Sequence, residues 1–266
     1  MKKIKNILLS ALVIGSSGLH SYTNATEVQI QTVLGNINVA LFDEATPETV
    51  DNFLLYVNSG TYANTVFHRS VPSFIVQSGG FAFNGTVPPD PIPTNPPVIN
   101  EPEFSNVRGT IAMAKLGGDP NSATSQWFIN LNDNSANLDV QNGGFTVFGQ
   151  VIGDGMEVVD AIAALPIFSQ GGVFSELPVR NFTQADANNG VAVGGDNLVI
   201  VTDIVIVNDV VDSNPDITPI ENTRINPPSP PPTTGNDGGG SSGGSIPLFA
   251  VSSLFFAAVL RRFKVL

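Results

Sequence analysis

Residues 67–80 read F-H-R-S-V-P-S-F-I-V-Q-S-G-G. One cation, Arg69, stands at the end of a β-prone run, and Phe74, Ile75 and Gln77 follow on a second run. Strand alternation puts Ile75 and Gln77 on one face, with Phe74 at the start of the run, placed to swing toward an apolar pocket. Two later stretches extend the pattern. Residues 108–131 read R-G-T-I-A-M-A-K, then a turn cluster of Gly, Asp, Pro, Asn and Ser, then S-A-T-S-Q-W-F-I-N-L. Residues 143–151 read G-G-F-T-V-F-G-Q-V. Gln126 and Phe128 are two apart and share a face, so Trp127 points away from them and reads as buried packing. The pair Gly117-Gly118 is a turn and not a phosphate loop, because no strand-to-helix Gly-rich pattern with a following Lys accompanies it.

Outward from these blocks, residues 27–33 and 36–42 alternate about Leu34-Gly35 and predict a hairpin. Thr46 offers a hydroxyl N-cap with Pro47 at the first helical position, and Val50, Phe53, Leu54 and Val57 fall on one helical face before Gly60 stops the helix. A second helix is predicted over 155–165, with Met156, Val159, Ile162 and Ala163 inward and Pro166 ending it. Short β-prone runs lie near Val66, Ile75, Ile111, Phe128, Val147 and 200–207. The segment 26–212 is long enough for one sizeable core and shows no internal repeat. Pattern alone supports a mainly-β barrel or sandwich.

Composition removes several function classes. There is no cysteine, hence no disulfide framework, thiol nucleophile or thiolate metal site. Between 26 and 212 the only cations are Arg69, Arg108, Lys115 and Arg180, against twenty Asp and Glu, a formal charge of about −16. Nucleic-acid binding rests on clustered Lys and Arg and is not expected here. His68 is the one histidine of this segment and there is no cysteine, so neither a cysteine–histidine triad nor a multi-histidine metal site can form. No nucleophile and base pair suggests a hydrolase.

The chain ends indicate the compartment. Residues 1–25 carry Lys2, Lys3 and Lys5, an apolar run over 7–14 and the small-residue exit Thr23-Asn24-Ala25, the anatomy of a signal peptide cleaved after Ala25. At the other end, residues 213–245 are rich in Pro, Ser, Thr and Gly and read as a disordered linker. Residues 246–266 form an apolar stretch closed by Arg261, Arg262 and Lys264, a basic end that stays cytoplasmic under the positive-inside rule. This end is similar to the glycine-glycine C-terminal sorting tails of Gram-negative envelope proteins, which act as transient anchors; an ordinary retained membrane anchor is the alternative. An exported protein of the periplasm or envelope is expected, reaching the surface or medium if the tail is processed.

The three blocks, in this order and spacing, closely resemble the cyclophilin family of peptidyl-prolyl cis/trans isomerases, its short bacterial periplasmic members above all, over residues 28–207. The resemblance implies a closed eight-stranded antiparallel barrel capped by two α-helices. It implies that Arg69 is the catalytic arginine. Phe74, Ile75, Gln77, Met113, Ala114, Gln126, Phe128 and Leu138 would bind substrate, with His68 hydrogen-bonded in the core beside the site. No cofactor or metal is implied, and a monomer acting on proline-containing polypeptides is expected. The chain departs from many members at Asn137, where they carry tryptophan, and at Phe145, where they carry histidine. The first change removes an indole donor and implies weak cyclosporin binding. A Pro-rich insert, 81–97, is expected beside the site, either narrowing substrate choice or serving as a variable surface loop. The leading expectation is an isomerase speeding the folding of exported proteins; a proline-peptide-binding or chaperone module with little turnover is the second.

Overall fold

A computed structural model describes residues 26–208 and 217–225. The first alternating runs form the predicted hairpin. Strand β1 (Glu27–Thr32) pairs antiparallel with β2 (Gly35–Leu41), Val28 opposite Val39 and Ile30 opposite Ile37, and these four side chains are fully buried. Helix α1 (Pro47–Asn58) starts at Pro47 and buries Val50, Phe53, Tyr56 and Val57, with Leu54 partly buried. Its cap differs from the prediction. The Thr46 hydroxyl donates back to the Phe42 carbonyl at 3.2 Å. The open N–H groups of Glu48 and Thr49 are taken instead by the Glu101 carboxylate, at 3.2 and 2.9 Å, an anion at the positive end of a helix.

Short strands follow: β3 (Thr65–Val66), β4 (Arg69–Val71), β5 (Ile75–Ser78), β6 (Phe81–Ala82), β7 (Asp90–Pro91), β8 (Thr110–Met113) and β9 (Trp127–Asn130). A one-turn helix α2 (Ser135–Leu138) leads to β10 (Val147–Ile152) and then to α3 (Gly155–Ala163), the second predicted helix, which buries Val159 and Ile162. Residues 166–199, for which the sequence offered no reading, make an excursion. It contains a ribbon of β11 (Ile167–Phe168) and β12 (Leu177–Pro178) and a short α4 (Gln184–Asn188) capped by Thr183, before β13 (Ile200–Asn208).

Eleven strands form one antiparallel sheet in the order β4-β5-β9-β8-β10-β2-β1-β13-β3-β6-β7. Only Phe67 and His68 separate β3, near one end of this order, from β4 at the other. The sheet must therefore curl until its two ends approach. Phe67 N–H donates to the Val199 carbonyl and His68 N–H to that of Gln77, at 2.9 and 3.1 Å. The expected closed ring of eight strands is corrected to a curled half-barrel of eleven, because the ends are joined by the chain at 67–68 and not by a continuous ladder. The two expected main helices are present.

Curling sorts the side chains by strand alternation. One cluster, covered by α1 and α3, holds Ile30, Ile37, Phe53, Met113, Trp127, Ile129 and Phe148. A second, on the other face of the same strands, holds Phe42, Ile75, Phe104, Ala112, Phe128, Leu138, Phe145 and Val147. A third knits the 166–199 excursion to Val66 and Phe81 through Phe174, Leu177, Val179 and Phe182. The 81–97 insert is tied down at Phe81 in this third cluster and at Ile92 in the first.

Within the predicted linker, residues 217–225 depart from expectation and run back along the body. Phe104 and Glu221 form a β-bridge, Ser105 N–H donates to the Ile220 carbonyl at 2.7 Å, and Asn222 N–H donates to that of Glu103 at 2.8 Å. Isoleucines and backbone groups, not composition, decide this local order. The predicted signal peptide, the rest of the linker and the C-terminal tail lie outside the described residues. Among the described residues no helix is long and apolar enough to cross a membrane.

Candidate active site

Strand register brings the residues of the first and second blocks into one transverse row. Arg69 pairs with Gln77, Gln77 with Phe128, Phe128 with Ala112 and Ala112 with Val147, across β4, β5, β9, β8 and β10. Opposed residues of neighbouring strands point to the same face, so a cation, an amide and a phenyl ring stand side by side over the second cluster. Gln77 Nε2 donates to Gln126 Oε1 at 2.9 Å, and Arg69 Nη1 reaches Gln77 Oε1 at 3.5 Å, a long contact. The Gly79-Gly80 pair that closes the opening stretch makes this approach possible. A Cβ on Gly80 would stand 2.6 Å from the Gln126 side chain, and one on Gly79, where φ is 78°, 2.6 Å from the Ser125 carbonyl.

Beside the amides lies the second apolar cluster. Ile75, Phe128 and Leu138 are buried in it, while Phe74 and Ala114 are only partly buried against the same cluster and leave ring and methyl surface open to solvent. Phe74 is carried there by the turn at Pro72-Ser73, where Ser73 adopts φ 60°. A buried amide network fixes the loops behind it. Asn134 Nδ2 donates to the Phe74 carbonyl and to Asn130 Oδ1, Asn130 Nδ2 donates to Thr110 Oγ1, and Asn106 donates to Asp139. Phe145 fills the base, edge-on to Phe128 at 5.8 Å. Lys115 Nζ sits 4.8 Å above the Phe145 ring and donates to Asn100 Oδ1 and to the carbonyls of Asn142 and Gly144. Burial pulls the Lys115 pKa down to about 8, against the pull of Asp119. Three oxygen acceptors match the three N–H groups of an ammonium.

Two expectations are corrected. Met113 does not join this cluster. Its neighbour Ala112 is the residue opposite Phe128, so alternation turns Met113 into the first cluster, fully buried beside Trp127. His68 is buried as expected, but neither ring nitrogen meets hydrogen-bond geometry. Its nearest polar neighbours are the Val66 carbonyl, which also accepts from Ser78 Oγ, and the Gln126 side chain, whose oxygen also accepts from Gln77. The imidazole packs edge-on against Phe81 at 4.9 Å and Phe174 at 6.4 Å. Burial, seconded by the Arg69 charge, pulls its pKa down to about 4, with the nearness of Val66 and Gln126 offsetting part of the fall. It is neutral at neutral pH. Trp127 is fully buried and edge-on to Phe67, as packing and not as a ligand contact.

The residue sequence reasoning missed is Glu176. Its Oε2 accepts from Arg69 Nε at 2.6 Å. One acid among twenty, 107 positions from its partner, carries no sequence signal.

This chain and its curled antiparallel sheet have known counterparts. The model of the family "cyclophilin type peptidyl-prolyl cis-trans isomerase/CLD" matches residues 27–184. The chain is 44% identical over 167 residues to peptidyl-prolyl cis-trans isomerase A of Dickeya dadantii, covering 60% of this chain and 84% of that one. It is 41% identical over 174 residues to a peptidyl-prolyl cis-trans isomerase of Acinetobacter baylyi, covering 64% and 87%. A crystal structure of a Cryptosporidium parvum cyclophilin type isomerase superposes with a TM-score of 0.50 at 26% identity, covering 70% of this chain and 99% of that one. The chain belongs to the cyclophilin-type peptidyl-prolyl cis-trans isomerases and is such an enzyme.

Proposed function

We propose that the Arg69, Gln77, Gln126 and Phe128 constellation is the catalytic site, and that it acts on X-Pro bonds of exported polypeptides. Rotation about an X-Pro bond crosses a barrier of roughly 20 kcal/mol because it breaks amide conjugation. No covalent step is needed to lower it. The depression between Phe74, Ile75, Phe128, Leu138 and Ala114 holds the proline ring. Gln126 and Gln77 take the flanking backbone. Arg69 donates to the prolyl nitrogen, which becomes pyramidal and basic only when the amide is twisted. A donor that gains its partner only in the transition state lowers the barrier and not merely the ground state, and a guanidinium stays charged at every working pH.

The observation that carries this reading is the register row that sets Arg69 beside Gln77 and Phe128. Simple peptide capture gives no reason for a cation at the rotating bond. The test is isomerisation of a short X-Pro peptide by the purified protein and by Arg69→Ala. The variant should lose about two decades of kcat/KM, or about 2.7 kcal/mol of transition-state stabilisation. If it binds peptide and turns over like the parent, the chain's peptide-binding role comes first and Arg69 is not the catalyst.

The setting outside the cytoplasm rests on the pattern of residues 1–25, and one contact supports processing after Ala25. Thr26 N–H and Oγ1 donate to the two carboxylate oxygens of Asp43, each at 2.7 Å. A chain beginning at Thr26 would set its α-ammonium on that carboxylate as an ion pair. N-terminal sequencing of the protein from the envelope fraction should begin at Thr26; a start at Met1 would refute export by this route.

A further inference from the structure

We infer that Glu176 is a positioning residue for Arg69, a role that rests on the catalytic reading of Arg69 above. The Glu176 carboxylate takes Arg69 Nε–H, the donor at the root of the guanidinium fork, at 2.6 Å. Nη1 has only its long contact with Gln77, and among the described residues Nη2 has no partner. The bond therefore fixes the plane of the fork while its terminal N–H groups stay free for the twisted amide.

The carboxylate is held by more than its own side chain. Ser70, next to Arg69 on β4, donates its N–H to the Glu176 carbonyl at 2.8 Å, so the two residues share a backbone junction. Glu176 is flanked by Phe174 and Leu177, both buried, and the Phe174 ring meets Phe81 at 4.9 Å, which in turn meets His68. The 166–199 excursion thus reaches the site through a small core of its own and delivers one carboxylate there. Such a pair has little value for stability, since the Glu176 side chain is 40% exposed and exposed pairs contribute little. Its effect lies in orientation: a free arginine side chain samples many rotamers, and catalysis by placement is lost with modest misplacement.

The test compares Glu176→Ala, Glu176→Gln and Arg69→Ala, alone and with Arg69→Ala combined with Glu176→Ala, in kcat and KM for an X-Pro peptide. Glu176→Ala should lower kcat about tenfold with KM within about twofold, because the proline depression is untouched. Glu176→Gln should recover most of the loss, since its amide oxygen still accepts from Nε–H. In the Arg69→Ala background Glu176→Ala should cost nothing further, the signature of a residue acting through another. The Arg69 Hε resonance should be exchange-protected in the parent and in Glu176→Gln, and unprotected in Glu176→Ala. An inactive Arg69→Ala beside an unimpaired Glu176→Ala overturns this inference alone. An additive double variant, or a loss confined to KM, also overturns it. A fully active Arg69→Ala overturns the catalytic reading and this one with it.

Discussion

An imidazole pressed against Phe81 and Phe174 with no hydrogen-bond partner for either nitrogen accepts a proton only at a cost to the fold. The His68 pKa stands at about 4 in the folded chain against an ordinary 6.5. Above pH 6.5 both folded and unfolded chains are neutral at this site and it makes no difference to stability. As pH falls from 6.5 to 4 the unfolded chain takes a proton that the folded one refuses, so stability drops across that window, by about 3 kcal/mol in all. His68→Phe keeps a ring among rings and removes the titration. Urea unfolding at pH 7 and pH 4 should show the variant losing less stability than the parent by about that amount; equal losses would mean the imidazole is not buried neutral. Arg69, Gln77, Gln126 and Phe128 could be singled out in the sequence because their blocks resemble those of the cyclophilin family, while alternation alone gave only that Gln126 and Phe128 share a face. Met113 was misread because its block gives the alternation but not which phase faces outward. That phase is set by the pairing of Ala112 with Phe128, a contact between strands.

The same limit recurs for whole elements. The first hairpin, α1 and α3 follow from local periodicity and from Pro47, Gly60 and Pro166, and each forms where its pattern places it. The α1 cap does not, because Thr46 has two options within reach, its own helix and the Phe42 carbonyl. The remote Glu101, 52 positions away from Thr49, settles the choice by satisfying the helix from outside. Strands β3, β4, β6 and β7 are two or three residues long, too short for alternation to announce them; ladder partners elsewhere make them strands. The 166–199 excursion has scattered apolar residues, Phe168, Phe174, Leu177, Val179 and Phe182, with neither period. They come together only because Val66 and Phe81 offer a surface to cover. An element whose order is lent by tertiary contact leaves little trace in its own sequence, and this one carries Glu176 to Arg69.

Across the whole molecule, the four cations between 26 and 212 are all engaged: Arg69 with Glu176, Arg108 with Asp160 at 2.7 Å, Arg180 Nε with the Leu198 carbonyl, and Lys115 with its three oxygens. Among the described residues between 26 and 208 the cations are thus dispersed and individually engaged. Residues 217–225 are the other feature of this scale, since composition marks them as linker while the structure uses them as a strap. Ile217 packs against the second cluster, and Asn222 Nδ2 donates to the Asp139 carbonyl at 3.0 Å, one residue past Leu138. Ile225 lies so close to Gly144, whose φ is 74°, that a Cβ there would meet its Cδ1 at 2.5 Å. Two backbone–backbone hydrogen bonds and two side chain–backbone ones, Ser105 Oγ to the Glu221 carbonyl and Asn222 Nδ2 to that of Asp139, depend on this strap. At about 0.5–1.5 kcal/mol net for each bond, a chain ending at Asp216 should be less stable than one ending at Ile225 by about 2 kcal/mol. Urea midpoints of the two forms measure this directly. The shorter form should also show a higher KM for an X-Pro peptide, because the α2 turn bearing Leu138 loses the Asn222 contact at its end. Equal midpoints and equal KM would return these nine residues to the linker that their composition describes.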